Sequence, residues 1–220
     1  MKYKKFIFSR RPSSPSNDFE VAAVFEYEYI AFWRPGQQQW IIESNTNSKF
    51  IHDVCFYRGE FYSICSNSLV IAFGNQTSKQ PRIVADLVSQ GLENYRCYAF
   101  YIVVLQDTLL VVQQKMSLDN SLFWTPSFEL FEVDVDNGKT KQVESIGDRA
   151  LFVGHNSTFF VEACSSDKRG CRPNCIYFTE DDFESYLGIF CLKEKRVVGE
   201  FYQGHSHFKY EPPPLWVQLP

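Results

Sequence analysis

The sequence predicts an all-β fold from three features of its hydrophobic pattern. Short apolar runs recur along the 220 residues, and turn residues separate them at spacings of about 8–12 residues. No stretch has a convincing amphipathic helical pattern, since the best candidate, residues 83–92, is short. The runs also repeat one order of events, namely strand, tight turn, strand, variable loop and hairpin. This unit recurs about every 40–50 residues, which is typical of a propeller blade. We therefore expect a partial or small β-propeller of about four four-stranded antiparallel blades.

The repeats can be followed along the chain. A half-unit comes first and three fuller units follow, at residues 21–43, 52–87, 98–146 and 148–202. Pro35-Gly36 turns the chain between the runs that carry Trp33 and Trp40. Gly59 marks the tight turn of the second segment, and Asp136-Asn137-Gly138-Lys139 is a strong hairpin signal in the third. A β-sandwich should not repeat its strand order in this way, so the repeat favours the propeller.

The sequence indicates two parts of the chain, which meet after residue 19. Residues 1–19 are interpreted as a strand and a loop rich in proline and serine, either of which could be the remnant of a preceding blade. Residues 20–220 form the propeller domain in this interpretation. The first 17 residues are basic and carry no acid, so they are also compatible with an organelle transit peptide. Both interpretations stay open.

Composition limits the kinds of molecule that the chain is expected to bind and where it is expected to be located. The net charge is −4 and the pI is about 5.6, which argues against a nucleic-acid scaffold. No apolar run approaches the ~18 residues that a membrane span requires. Seven scattered cysteines without a signal peptide indicate reduced thiols. We therefore expect no nucleic acid, no membrane and a cytoplasmic or nuclear location.

Some residues of the sequence could suggest a metal site or a catalytic site. Cys171 and Cys175 lie four apart, with Cys164 upstream, but no fourth zinc ligand is near them in sequence. His205 and His207 are interpreted as part of a surface loop. The sequence has no nucleophile elbow, P-loop or zinc-protease motif. We expect no cofactor, no metal and no enzymatic activity. A propeller hydrolase remains one alternative, and a truncated fragment without folded function is another.

Several ordered motifs support a resemblance to a known family. They are FWRPG at 32–36 with Trp40, DVCFYRGEFY at 53–62, GDRALFVG at 147–154, GCRPNCIYFTED at 170–181 and PPPLWV at 212–217. With these motifs the chain resembles the KIB-type β-propeller domain, formerly a domain of unknown function, which follows the F-box in plant proteins. The resemblance spans residue 20 to the C-terminus.

The resemblance implies a protein-interaction domain that recruits substrates to a ubiquitin ligase. The F-box of such proteins would bind a Skp-type adaptor and a cullin. An F-box is a helical segment of about 40 residues, and nothing before residue 20 has room for it. We therefore expect no Skp-type adaptor to bind this chain, and the protein partner is unknown.

Turn-adjacent aromatic and arginine residues are the candidate anchors for that partner. Such residues dominate protein interfaces, and turns present them on rigid sheets. The candidates are Trp33, Arg34, Tyr57, Arg58 and Arg149. For Asp148 and Arg149 the alternative is a salt-bridged turn with a structural role.

Overall fold

The computed structural model describes residues 3–11, 18–25, 28–44, 50–74, 80–87, 97–119, 122–154, 156–163, 170–180 and 186–203. Every regular element within these ranges is a β-strand, and the strands form four sheets. The all-β prediction is confirmed. The chain divides into two compact units, which are Met1–Asn94, Ala99–Val112 and Phe131–Lys141 on the one hand and Tyr95–Tyr98, Gln113–Leu130 and Gln142–Pro220 on the other.

The first sheet completes what the sequence indicated only as a half-unit. Its strands follow in chain order and comprise β1 (Tyr3–Phe8), β2 (Val21–Phe25), β3 (Tyr29–Trp33) and β4 (Ile41–Ser44). The N-terminal strand β1 pairs antiparallel with β2, through Phe6 opposite Ala23 and Phe8 opposite Val21. These pairs join the two sides of the proposed division after residue 19, and that division remains a prediction.

The second sheet follows the predicted turns closely. It comprises β5 (Ile51–Tyr57), β6 (Glu60–Cys65), β7 (Leu69–Phe73) and β8 (Arg82–Asp86), again in chain order. One buried cluster joins the first two sheets, and it contains Ala22, Val24, Ile30, Phe32, Ile51, Val54, Phe61, Cys65, Ile71 and Phe73. Alternate residues of β2 and β3 supply the first-sheet half of this cluster, as the two-residue period of a strand requires.

The third sheet has two strands that are longer than the apolar runs predicted. It comprises β9 (Cys97–Leu105), β10 (Thr108–Asp119), β11 (Leu122–Asp134) and β12 (Lys139–Val143). The extension of β10 is mostly polar, and that of β11 contains Pro126, which disfavours a strand, so neither shows a clear strand pattern. Their polar groups are satisfied across the pair, because Gln114 donates to Thr125 Oγ1 at 2.7 Å and Lys115 pairs with Glu129 at 2.6 Å. A buried polar group is tolerated when it finds such a partner.

The fourth sheet departs in one detail from a four-stranded antiparallel blade. Its spatial order is β14-β13-β15-β16-β17, formed by β13 (Arg149–Val153), β14 (Thr158–Glu162), β15 (Cys175–Glu180), β16 (Tyr186–Cys191) and β17 (Arg196–Gln203). The hairpin partner β14 occupies the edge beyond β13, and β15 pairs parallel with β13 on its other side. A parallel neighbour requires a crossover, and residues 154–174, which include β14, separate β13 from β15 along the chain.

The two faces of the fourth sheet pack differently within the second unit. On one face, the rings of Phe178 and Phe190 lie 4.9 and 5.4 Å from the ring of Phe128. On the other face, a cluster of residues from this sheet contains Ala150, Phe152, Cys175, Tyr177 and Ile189. Within the ranges given above, no helix is long and apolar enough to cross a membrane.

Candidate protein-binding surface

The first strand turns two phenylalanine side chains away from the core of the first unit. Ile7 packs against the buried cluster of the first two sheets, and Lys5 is buried as well. Successive side chains of a strand point to opposite faces, so Phe6 and Phe8 lie on the other face. These two phenylalanines are 47% and 45% exposed. The alternation therefore leaves two large apolar side chains at the surface.

Small residues of β2 and β3 form the floor of this second face. Phe6 pairs with Ala23, Ala23 pairs with Ala31, and Ala31 pairs with Ile42. Directly opposed residues share a face, so these four side chains form one row across the sheet. Both alanines are buried, while Ile42 is 55% exposed. The face thus has a flat, buried centre and raised apolar edges.

A hydrogen-bonded turn positions two tryptophans over one end of the face. The indole Nε1 of Trp33 donates to the backbone oxygen of Gln37 at 3.0 Å. The backbone N–H of Arg34 donates to Oε1 of Gln37 at 2.9 Å, and the N–H of Gln37 donates to the oxygen of Arg34 at 3.1 Å. This turn brings Trp40 back so that its ring lies 6.4 Å from that of Trp33. The Trp33 ring is held by a hydrogen bond to the backbone, and the Trp40 ring packs against it.

Five aromatic side chains make a continuous series of contacts on this face. Ring centroids lie 6.0–6.4 Å apart along the series Phe6, Trp40, Trp33, Phe19 and Phe8. Tilted and edge-on pairs at such separations are favourable aromatic geometries. We call this series, with the floor beneath it, the aromatic face. It is a preorganised apolar surface of the kind that marks interaction sites.

Of the predicted anchors, Trp33 is part of the aromatic face and Arg34 borders it. The Arg34 guanidinium forms an ion pair with Glu20 through Nε and Oε1. This pair neutralises the charge next to the face and supports the turn. The prediction that these two residues contact a partner remains untested.

Tyr57 and Arg58 lie at the turn between β5 and β6, where their polar groups are engaged within the first unit. The Tyr57 hydroxyl donates to the backbone oxygen of Asp107 at 2.9 Å, and its ring is buried. Burial raises the pKa of this phenol. The Arg58 guanidinium lies 5.0 Å from the Tyr57 ring centroid and pairs with Asp107 at 2.9 Å and Asp136 at 3.6 Å. Hydrogen bonding from Arg58 lowers the pKa of the Asp107 carboxyl. The arrangement joins three turns of the first unit, and whether Tyr57 and Arg58 also contact a partner protein stays a prediction.

Arg149 opens β13 in the second unit, where its Nε donates to Oε1 of Glu162 at 2.8 Å. The two residues are direct partners in the β13–β14 register. This cross-strand pair agrees with the structural alternative considered for Arg149. Whether Arg149 also contacts a partner protein stays a prediction.

Sequence reasoning missed Phe6, Phe8 and Phe19 of the aromatic face, and it did not predict that Trp40 faces outward. The sequence gives little signal for them, because Phe6-Ile7-Phe8 is a continuous apolar run that does not show which side chains face outward. The buried position of Lys5 shows that the basic N-terminal segment contributes to a core.

The described part of the chain shows few features of a metal site or a small-molecule site. It holds no group of three or more histidine, cysteine or acidic residues that could bind a metal ion. A pocket of about 110 Å³ opens in the second unit beside Phe128, Leu130 and Phe190. Small-molecule sites usually occupy about 300–1,000 Å³, so this pocket is small for a substrate. Cys164, which lies near the candidate zinc ligands Cys171 and Cys175 in sequence, is outside the described residues.

The repeated four- and five-stranded sheets define the class of the protein as a β-propeller, in a partial form. A family profile described as KIB1-4 beta-propeller matches residues 1–202. The chain belongs to this family. The resemblance inferred from the motifs and the fold class predicted from the repeats are therefore both confirmed.

Curated relatives come from Arabidopsis thaliana. The chain is 29% identical over 163 residues to "Putative F-box protein At3g25750", a match that covers 73% of this chain and 43% of the relative. It is 25% identical over 186 residues to "Putative F-box protein At5g55150", covering 80% and 50% respectively. A third match, to "F-box protein At2g17036", has 20% identity and covers 90% and 53%. The chain spans about half the length of these relatives.

Among solved structures, a chain in an S. cerevisiae complex of Dbp5 with Nup159 and Gle1 covers 83% of this chain and 63% of its own length. The identity is 6% and the TM-score is 0.38. No argument rests on this likeness.

Proposed function

We propose that this chain is a non-enzymatic protein-interaction module that recruits a partner protein through the aromatic face. The proposed wider role is that of a substrate receptor related to the F-box proteins of ubiquitin ligases. Its proposed location is the cytoplasm or the nucleus. Membership of the KIB1-4 β-propeller family and the names of the relatives support this role.

The observation that carries the proposal is the exposure of preorganised aromatic side chains. Phe6, Phe8 and Trp40 are each more than 40% exposed, although they contact one another through a single series of rings. Rigid aromatic anchors lose little conformational freedom on binding and dominate the energetics of protein interfaces. An apolar sheet face of this kind also favours burial against a partner.

The experiment compares the proteins that copurify with matched variants expressed in Arabidopsis cells. The tagged chain is purified as wild type, as Phe8→Ser/Trp40→Ser, and as the control Ile83→Ser. Ile83 is an exposed apolar residue of β8, so the control removes similar surface outside the aromatic face. Circular dichroism and thermal unfolding establish that all three chains are folded.

The expected result is a stoichiometric partner that the wild type and Ile83→Ser retain and that Phe8→Ser/Trp40→Ser loses. A Skp-type adaptor and a cullin among the retained proteins would place the chain in a ligase. A partner without them would identify a separate recruiting module. If the folded double variant retains every wild-type partner, the aromatic face is not the binding surface.

A further inference from the structure

Two cysteines face each other across neighbouring strands of the fourth sheet. Cys175 begins β15 and Cys191 ends β16, and they are direct partners in the antiparallel register. Both belong to the cluster on one face of this sheet, in which Cys175 is buried and Cys191 is partly buried. Cys171 packs against the same cluster. Three thiols therefore share one face of one sheet within the second unit.

The spacing of the facing pair suits a covalent bond between the sulfurs. Directly opposed residues of antiparallel strands have Cα atoms about 4.5–5.5 Å apart. A disulfide accepts Cα separations of about 4.4–6.8 Å, so either type of pair falls within its range. The two thiols are close enough that Cys191 contributes to the raised pKa of Cys175. The register of the two strands therefore places the pair within the backbone separation that a disulfide requires.

The two thiols differ in their access to solvent. Cys175 is 3% exposed, whereas Cys191 has an intermediate exposure at the end of its strand. Burial, followed by the influence of Cys191, raises the pKa of Cys175 to about 12. Reagents in solution thus meet Cys191 first, and Cys175 lies directly opposite it in the strand register.

We propose that Cys175 and Cys191 are a redox modification site that forms a reversible disulfide when the chain meets hydrogen peroxide. In the first step the Cys191 sulfur attacks one peroxide oxygen, the O–O bond breaks, and Cys191 sulfenic acid and one water form. In the second step the Cys175 sulfur attacks the Cys191 sulfur, the S–OH bond breaks, and the thiol proton leaves with hydroxide as water. Peroxide is reduced by two electrons and the two thiols are oxidised by two. A dithiol reductant reverses the change.

The test is a peptide map of the full chain, treated with hydrogen peroxide and then blocked with N-ethylmaleimide. Trypsin leaves all three cysteines in the peptide 170–193, because Arg172 precedes proline. A second digestion after Glu180 and Glu184 separates Cys175 from Cys191. The expected product is a pair of peptides joined through these residues and released by dithiothreitol.

Variants in which one cysteine is replaced by serine identify which two thiols form the bond. It should persist in Cys171→Ser and in Cys55→Ser, and it should be lost in Cys175→Ser and Cys191→Ser. Peptide 170–180 holds both Cys171 and Cys175, so persistence of the link in Cys171→Ser decides the outcome even if the Cys175 variant unfolds. Maleimide-blocked or over-oxidised Cys191 without a linked peptide would overturn the proposal, and so would a bond from Cys191 to Cys171. These outcomes do not depend on whether the aromatic face binds a protein.

Discussion

At the scale of single residues, Gly138 and Gly59 form a natural pair for comparison. Both have a positive φ, +68° and +85°, which a side chain resists. A Cβ at Gly138 would lie 2.7 Å from the backbone oxygen of Val84, whereas a Cβ at Gly59 would meet nothing within 4 Å. Backbone oxygen cannot move aside as the end of a flexible side chain can.

We therefore predict that Gly138→Ala destabilises the chain more than Gly59→Ala does. The left-handed conformation alone costs about 1–2 kcal/mol in both variants. The contact with Val84 adds to that cost only at position 138. Chemical denaturation of both variants measures the difference, and equal losses would contradict the close approach.

Arg58 and Asp107 give a prediction about pH. The Asp107 carboxyl should titrate below its usual pKa of 3.8, because Arg58 donates a hydrogen bond to its ionised form. A lowered folded-state pKa stabilises the fold above pH 3.8, and that contribution is lost as the pH falls below this value through the folded pKa. Carboxyl carbon NMR measures the titration. In Arg58→Met the pKa of Asp107 should return toward its usual value, and an unchanged pKa would exclude Arg58 as the cause.

At the scale of elements, the strands with apolar runs and glycine turns were predictable from sequence. β5 and β6 flank the predicted turn at Arg58-Gly59, and β11 and β12 flank the predicted hairpin at 136–139. The extensions of β10 and β11 were not predictable, because that of β10 is mostly polar, that of β11 contains Pro126, and both depend on partners across the strand pair. The parallel pairing of β13 with β15 was also hidden, since a strand pattern does not reveal which neighbour it joins.

Asn174 explains part of the motif at 170–181 in structural terms. Its φ is +55°, and its side-chain oxygen accepts the backbone N–H of Ile146 at 3.0 Å. Its backbone N–H donates to the oxygen of Arg149 at 2.7 Å, and its oxygen accepts the N–H of Leu192 at 3.1 Å. This one turn residue therefore ties the starts of β13 and β15 to the end of β16.

We predict that Asn174→Gly costs about 1–3 kcal/mol, because the N–H of Ile146 loses its acceptor. Asn174→Ala should cost about 1–2 kcal/mol more, since alanine also resists the left-handed backbone. Asn174→Asp keeps the oxygen and serves as the control with the smallest loss. Urea unfolding of the three variants measures this order, and an alanine variant as stable as the glycine variant would argue against a left-handed turn.

At the scale of the molecule, one buried carboxylate connects strands of three sheets within the first unit. Asp53 of β5 forms an ion pair with Lys5 of β1, and both side chains are almost fully buried. Its other oxygen accepts the backbone N–H of Ile102, on β9, at 3.1 Å. The basic N-terminal segment thus supplies the counter-charge for a core carboxylate.

Lys5→Met should therefore destabilise the chain by about 3–5 kcal/mol, because it leaves Asp53 buried without its partner. The exposed Lys193→Met is the control and should change the stability little. Thermal unfolding of both variants makes the comparison. A Lys5 variant as stable as the control would show that the buried pair contributes nothing to the fold.

The candidate surface was predictable only in part. Trp33 was predicted as an anchor because it adjoins a recognisable turn, and its contact with a partner stays a prediction. Phe6 and Phe8 were missed because their exposure depends on Ile7 and Lys5 facing the core, which only the tertiary structure shows. Tyr57 and Arg58 have the composition of interface anchors, but their contacts with Asp107 engage them within the unit.

The most direct measurement of the central claim is photo-crosslinking from defined positions in Arabidopsis cells. A photoreactive amino acid replaces Ile42 on the aromatic face in one chain and Ile83 in another, since both positions are more than half exposed. The account predicts a discrete crosslinked protein from position 42 and none from position 83. No adduct from position 42, or the same adduct with equal yield from both positions, would contradict the claim that the aromatic face binds a partner.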